Sequence, residues 1–454
     1  MLNRKEVAQF IKNNDFQNLK ILLDDAENME ILHVFHDLFP EKQLAVFNLL
    51  KKDSALFVFR ELDSDEQQNL LRSFSDEKMI EFVARLAPDD RVRLLEELPL
   101  DKVKVIISSL TPAESALTDL LMSYAPETAG RIMTTKYISL PSGINVEQAI
   151  SFVRKRAKDQ ETIYTLYIKD EFGKLEGVLS LRELLMSDGD CKIESIMSKK
   201  PIKATVDTDQ EEAVQLMQTM DLLSLPIVDG DDKMMGIITI DDAMNIMEEE
   251  ATEDIYDQAG LADITNNEQD RSDILIHGNL WNIWKVRLPF LLATLGLGML
   301  SGLVIDTYEE ILKKVTAVAI FIPVIMGMGG NIGTQSSTVF ARAVVLKHIN
   351  IKKFIKPFLK EIGVGLSIGV LVGLISGAVA AVWLGLPTLG LAVGLAMTIT
   401  MTMATMLGFL VPYILIRLNV DQAAGSAPII TTIKDLVALL IYFVCVSIFL
   451  GNML

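Results

Sequence analysis

The sequence predicts a multidomain membrane protein. An all-α superhelical domain covers residues 1–128, tandem α/β domains cover 129–190 and 191–252, a linker helix covers 253–284, and a five-helix transmembrane domain covers 285–454. Three observations carry this reading. Charge is split, with 30 Lys and Arg against 54 Asp and Glu before residue 285 and 12 against 6 from there on, so the halves are net −24 and +6 in a chain of net −18. Five hydrophobic runs in the back half are each long enough to cross about 30 Å of hydrocarbon. Two internal repeats organise the front half.

The shorter repeat places Leu38, Leu50, Leu62, Phe74, Leu86, Leu98 and Leu110 twelve residues apart, each followed by turn-like polar residues such as FPEK, DSDE or APDD. Each unit reads as one short helix with a capped start, its acidic residues serving as capping groups. Stacks of such helices form a superhelical solenoid. In the longer repeat, IMTTKYISL (132–140) aligns with IMSKKPIKA (196–204) at an offset of 64, and TLYIKDEFGKLEGVLSL (165–181) with SLPIVDGDDKMMGIITI (224–240) at an offset of 59. Each copy reads strand, helix, strand, turn, strand, helix, with Asp170 or Asp229 and Gly173 or Gly230 marking the hairpin turns.

Composition excludes several classes. So acidic a surface repels nucleic acid and suits cations. Cys191 and Cys445 are too far apart in character and position to suggest a disulfide framework or a thiol metal site. His33 and His36 can share a helix face but lack acidic or thiol partners at ligand spacing. The opening MLNRKEVAQF has no apolar core and does not read as a signal peptide. No GxxxxGK[ST] string is present, which argues against a self-powered pump.

The five spans fall near 286–305, 315–341, 362–385, 387–416 and 428–450. Lys285 and Arg287 precede the first, six Lys and Arg lie between the second and third, and Arg417 follows the fourth, while the 3–4 turn LGLPTLG is uncharged. This bias puts residues 1–284 in the cytoplasm and the C-terminus outside. In span 5, Lys434 and Asp435 lie inside the apolar run. A carboxylate at that depth needs water, protein or an ion, and adjacent helical residues point about 100° apart, which makes a mutual ion pair awkward. Span 2 carries Gly327, Gly329, Gly330, Gly333 and Pro323, a poor composition for a regular helix, beside a polar run from Asn331 to Thr338. Loosened backbone along a watery cavity is one reading and close helix packing is the other. Gly329, Gly330, Asn331 and Gln335, with Thr431 and Thr432 of span 5, are the candidate pore lining.

The string GMGGNIGTQSSTVFARA in span 2, with D-x-A-x-x-x-x-P-x-x-T-T-x-x-D from Asp421 to Asp435, resembles the MgtE-type magnesium transporters, and the resemblance extends over essentially the whole chain. It implies a homodimer in a bacterial-type cell (inner) membrane whose two protomers form the pore. Asp435 of each holds a hydrated Mg²⁺ and Asp421 lies near the cytoplasmic mouth, about 21 Å away on a straight helix. GSAP before the threonines and Lys434 beside Asp435 depart from the family pattern, and a cation there opposes ion binding. The chemistry agrees with magnesium, which prefers oxygen ligands and keeps several waters.

The longer repeat looks like a pair of CBS domains. In these a G-h-h-[ST]-x-x-[DN] string contacts nucleotide ribose. Gly236, Thr239 and Asp242 match it, whereas the first copy ends in Glu183, so ATP at this site and a purely structural turn both stay open. The stretch DDAMNIMEEEATEDIYDQ (241–258) carries eight carboxylates and no Lys or Arg. Ile240, Met244, Met247, Ala251 and Ile255 fall at helical spacing and predict a buried face. Asp242, Glu249, Glu253 and Asp257 share another face, with Glu250 and Asp254 beside it, and like charges at that spacing repel. A solvated face is one account. The other is divalent cations bridging the stripe to Asp89 and Asp90 of the solenoid, and the resemblance favours it, implying that cytoplasmic Mg²⁺ closes the pore. Trp281 and Trp284 suit the membrane interface. A Mg²⁺ channel is the expectation. A secondary divalent-cation exchanger and a non-conducting membrane receptor or enzyme with a CBS sensor are its rivals, and no nucleophile–base constellation supports an enzyme.

Overall fold

Ten short helices open the described part of the chain: α1 (Arg4–Lys12), α2 (Phe16–Asp25), α3 (Asn28–His36), α4 (Pro40–Phe47), α5 (Lys52–Arg60), α6 (Ser64–Arg72), α7 (Asp76–Val83), α8 (Pro88–Glu97), α9 (Leu100–Ser109) and α10 (Pro112–Ser123). The structure is a computed structural model and describes residues 4–13, 15–36, 38–62, 64–74, 76–98, 100–262, 268–345, 348–418 and 427–450. It divides into two units, Met1–Glu250 and Ala251–Leu454. The twelve-residue marks fall in the turns just after the helices. Leu38, Leu62, Leu86 and Leu110 are buried, whereas Leu50, Phe74 and Leu98 are half-buried. The repeating unit is therefore a pair of helices, 24 residues long. Capping differs from expectation: Phe39, Lys51 and Ala87 begin helices without a side-chain cap, and Asp89 and Asp90 lie in the first turn of α8. Thr111 and Glu114 do form a capping box on α10.

The two α/β repeats follow as α11 (Ala129–Ile132), β1 (Tyr137–Pro141), α12 (Val146–Arg156), β2 (Thr162–Lys169), β3 (Leu175–Ser180) and α13 (Leu181–Met186), then α14 (Ile193–Ile196), β4 (Ala204–Thr205), α15 (Gln210–Thr219), β5 (Ser224–Val228), β6 (Met234–Thr239) and α16 (Ile240–Gln258). Each builds a three-stranded sheet with one parallel and one antiparallel pairing, in the orders β1-β2-β3 and β4-β5-β6. Leu166 pairs with Leu179 and Leu225 with Ile238, so the offset of 59 is also a structural register. The repeats exchange their leading segments: Thr134 bridges to Ile237 of β6, and Ser198 to Val178 of β3. Asp170 and Asp229 each accept two backbone N–H bonds in the hairpin turns. The left-handed residue is Gly173 (φ +86°) in the first turn but Asp232 (φ 65°), not Gly230, in the second.

The predicted linker helix is broken. α16 ends at Gln258, Gly260 turns the chain at φ +73°, and α17 (Glu268–His277) precedes α18 (Leu280–Thr307), whose N-cap Asn279 accepts from the Asn282 N–H. After α19 (Glu309–Lys314) come α20 (Ala317–Val345), α21 (Ile355–Leu384), α22 (Pro387–Arg417) and α23 (Ala427–Leu450). Five of these, α18 and α20 to α23, are long and apolar enough to cross a membrane. α20 is one continuous helix, so its glycines do not loosen it. They serve packing instead: a Cβ on Gly329 would lie 2.9 Å from Thr400 Cγ2, and one on Gly333 2.6 Å from Lys434 Cδ. α21 and α22 pack through Gly365, Gly369, Gly373 and Gly377, all buried. Thr398 Oγ1 reaches across to the Gly369 carbonyl (3.1 Å) and back to Gly394 (2.9 Å). Small residues at such crossings let helix backbones approach closely.

Candidate ion sites

In the membrane domain, Asp435 is half-buried on α23 and its Oδ1 lies 3.7 Å from where a Cβ on Gly330 would stand, as does Thr431 Cγ2. Gly330, Thr431 and Asp435 thus converge. On the same helix as Gly330, Asn331, Thr334, Gln335 and Thr338 are exposed, while Ile332, Ser336 and Phe340 are buried. Their spacing of three and four residues makes one stripe, so α20 presents a polar, uncovered face beside the Asp435 carboxylate. Gly329 and Gly330 are both buried, Gly329 against Thr400 of α22 and Ala438 of α23. Thr432 is half-buried, and Asp421 lies outside the described residues. Sequence reasoning passed over Glu361 of α21, which accepts a hydrogen bond from the buried Ser336 hydroxyl (2.8 Å).

In the N-terminal unit, α8 is anchored by Arg91, whose guanidinium donates to the carbonyls of Val83, Ala84 and Leu86 and to Thr118 Oγ1. That anchor holds Asp89 in the interior, 8% exposed, with an Oδ1 that has no hydrogen-bond partner among the described residues. Burial pushes the Asp89 carboxyl up to about 8, and the negative charges of Asp90, Asp242 and Glu161 push in the same direction. Asp89, Asp90 and Asp242 therefore face one another across the solenoid and the second α/β repeat. Among the described residues no three His, Cys, Asp or Glu side chains are already in metal-binding geometry.

The rest of the α16 stripe divides. Glu249 accepts from Arg93 Nη2 (2.7 Å), and Glu250 from Gln210. Burial, with Glu211, Asp209 and Glu127 nearby, raises Glu250 to about 7 despite the Gln210 bond. Asp257 pairs with the buried Arg271 (3.1 Å), which also lies over the Tyr256 ring. Glu253 is half-buried and Asp254 exposed. Thus 241–258 contains no cation of its own, yet Glu249 and Asp257 are matched by arginines from elsewhere. The expected buried face is overturned. Ile240, Met244, Met247, Ala251 and Ile255 are exposed, and Ala243 and Ile246 are buried instead. Apolar spacing reveals a stripe but not whether the same chain covers it.

At the candidate nucleotide string, a Cβ on Gly236 would stand 2.7 Å from Thr134 O and Met133 Sδ, so the glycine admits the exchanged strand segment. Thr239 Oγ1 donates to Asp242 Oδ2 (2.7 Å) at the start of α16. In the first repeat, Ser180 and Glu183 form a capping box at the same place.

Family models match in three places: a divalent cation transporter model, MgtE, over 322–445, the MgtE intracellular N domain over 26–127, and CBS domains over 129–189 and 193–249. The chain is 33% identical over 444 residues to the magnesium transporter MgtE of Thermus thermophilus, covering 96% of each chain. It is 30% identical to that of Bacillus subtilis, covering 98% of this chain and 96% of the relative. A solved structure of the cytosolic domain of the Mg²⁺ channel MgtE in complex with ATP is similar with a TM-score of 0.51 and 31% identity, over 54% of this chain and 100% of that one.

Proposed function

This chain belongs to the MgtE family of divalent cation transporters, and on that premise we propose that it is a homodimeric magnesium channel closed by Mg²⁺ bound to its cytoplasmic half. The observation that carries the reading is the uncovered polar stripe of α20 beside Asp435. Amide and hydroxyl side chains facing lipid would cost too much, so this face needs water or a second copy. Two copies meeting there enclose a wet path with one carboxylate from each. Mg²⁺ gives up its waters reluctantly, and a site of two carboxylates with amides and hydroxyls around it suits the hydrated ion. The basic loops support a topology with residues 1–284 inside and the C-terminus outside.

For regulation, the Asp89 Oδ1, without a hydrogen-bond partner among the described residues and near Asp90 and Asp242, fits a hydrated divalent cation, which relieves the repulsion that burial intensifies. Mg²⁺ supplies charge there, and Asp89, Asp90 and Asp242 supply oxygens fixed by the Arg91 anchor and the Thr239 bond. Glu249, Glu250, Glu253, Asp254 and Asp257 extend the acidic surface. The ATP complex of the relative supports adenine nucleotide at the CBS pair, and the match of Gly236, Thr239 and Asp242 to the CBS string makes them the candidates for its contacts. The test is Mg²⁺ flux into liposomes holding purified protein. Asp435→Asn keeps the shape and removes charge, and is expected to lower flux by about tenfold or more. Unaltered flux in a folded Asp435→Asn protein overturns the pore assignment.

A further inference from the structure

We propose that Lys434 sets the affinity of the Asp435 ion site: a resident cation lodged beside the site keeps the hydrated ion loosely held, so that it passes through. The inference rests on Asp435 being the pore carboxylate. Lys434 is 3% exposed on a membrane-spanning helix, and among the described residues it has neither a hydrogen-bond nor an ion-pair partner. Its side chain does not reach out toward water. A Cβ on Gly333 would stand 2.6 Å from Lys434 Cδ and 2.7 Å from both Cε and Nζ, so the tip lies in the notch that this glycine leaves. Asp435 Oδ1 lies at Gly330, three residues earlier on α20. Gly330 and Gly333 share a helix face about 4.5 Å apart along the axis. The ammonium and the carboxylate are thus held about one turn apart without closing on each other. Glu361 accepts from Ser336 and makes no ion pair with Lys434.

A lysine placed like this is costly in a membrane interior, and its field acts at short range on any cation at Asp435. Conduction needs an ion to bind well enough to enter and weakly enough to leave. A fixed positive charge next to the carboxylates supplies the second requirement. Lys434→Met keeps the unbranched stem in the Gly333 notch and removes the charge, and Lys434→Gln is an independent neutral variant. The half-saturating Mg²⁺ concentration for liposome flux is expected to fall on the order of tenfold, with a lower maximal rate. A purely structural role would change the amount of folded protein and leave half-saturation alone. Unchanged half-saturation in a folded neutral variant overturns the proposal. So does failure of both variants to insert and dimerise, which would make the ammonium a folding requirement. Asp435→Asn measured in parallel separates the two readings. If it conducts normally the pore assignment fails; if it is inactive while Lys434→Met is unchanged, only the role of Lys434 fails.

Discussion

At Asp89, burial and the charges of Asp90, Asp242 and Glu161 all favour the protonated acid, whose carboxyl is raised to about 8. The sign follows from linkage. The compact state binds a proton that the unfolded chain, with an ordinary carboxylate, has already released, so stability falls as pH rises from the usual carboxylate range to about 8 and then levels off. Glu250, raised to about 7, acts in the same sense over a narrower window. In chelator, full-length protein is expected to lose stability across this window by up to about 1.4 kcal/mol per pH unit for each group. Saturating Mg²⁺ flattens that slope because the ion replaces the proton. Asp89→Asn is expected to reduce the slope and stabilise the metal-free protein in thermal melts. An unaltered pH slope in this variant would mean that Asp89 is solvated and ordinary.

Among the elements, the α21–α22 pair depends on close backbone approach. A Cβ on Gly373 would stand 2.5 Å from the Gly394 carbonyl oxygen, and backbone on a packed helix cannot yield as a flexible side chain does. Gly373→Leu is expected to destabilise the membrane domain by about 1–3 kcal/mol or more. Gly363→Leu, on the same helix with nothing within 4 Å, is the tolerated control. Thermal melts in detergent that rank the two equally would show that the helices separate at little cost. α16 has a different logic. Its apolar stripe is exposed among the described residues, and Arg93 and Arg271 pair with Glu249 and Asp257 of its acidic stripe.

For the whole molecule, the proposed gating is a linkage between ion occupancy and a compact cytoplasmic half. An ion biases closure only by the difference in its affinity for the two states, and coupling acts equally in both directions. Replacing Asp89, Asp90 and Asp242 together by Asn removes that difference while leaving Asp435 and α20 untouched. The triple variant is expected to conduct normally at low internal Mg²⁺ and to need roughly tenfold more for half-closure. Flux at graded internal Mg²⁺ checks this, and wild-type closure would move the sensor elsewhere. Glu249→Gln is expected to shift half-closure much less, because Arg93 already offsets its charge.

Periodicity and charge alone determined the domain order, the helical repeat of the N-terminal domain, the 59-residue register and the five apolar spans, and singled out Asp435 as a candidate, since each is a property of neighbouring residues in the chain. Local spacing also isolated Asp242, Asp89 and Asp90. Only the tertiary structure decided which partners these groups meet. It showed that α20 is one continuous helix whose Gly329 and Gly333 admit Thr400 and Lys434, and that Arg93 and Arg271 reach carboxylates 156 and 14 residues away. It left the apolar stripe of α16 outside the core and brought Asp89 inside it. Burial and electrostatic pairing arise from contacts between residues distant in sequence, and no pattern read along a single chain records them.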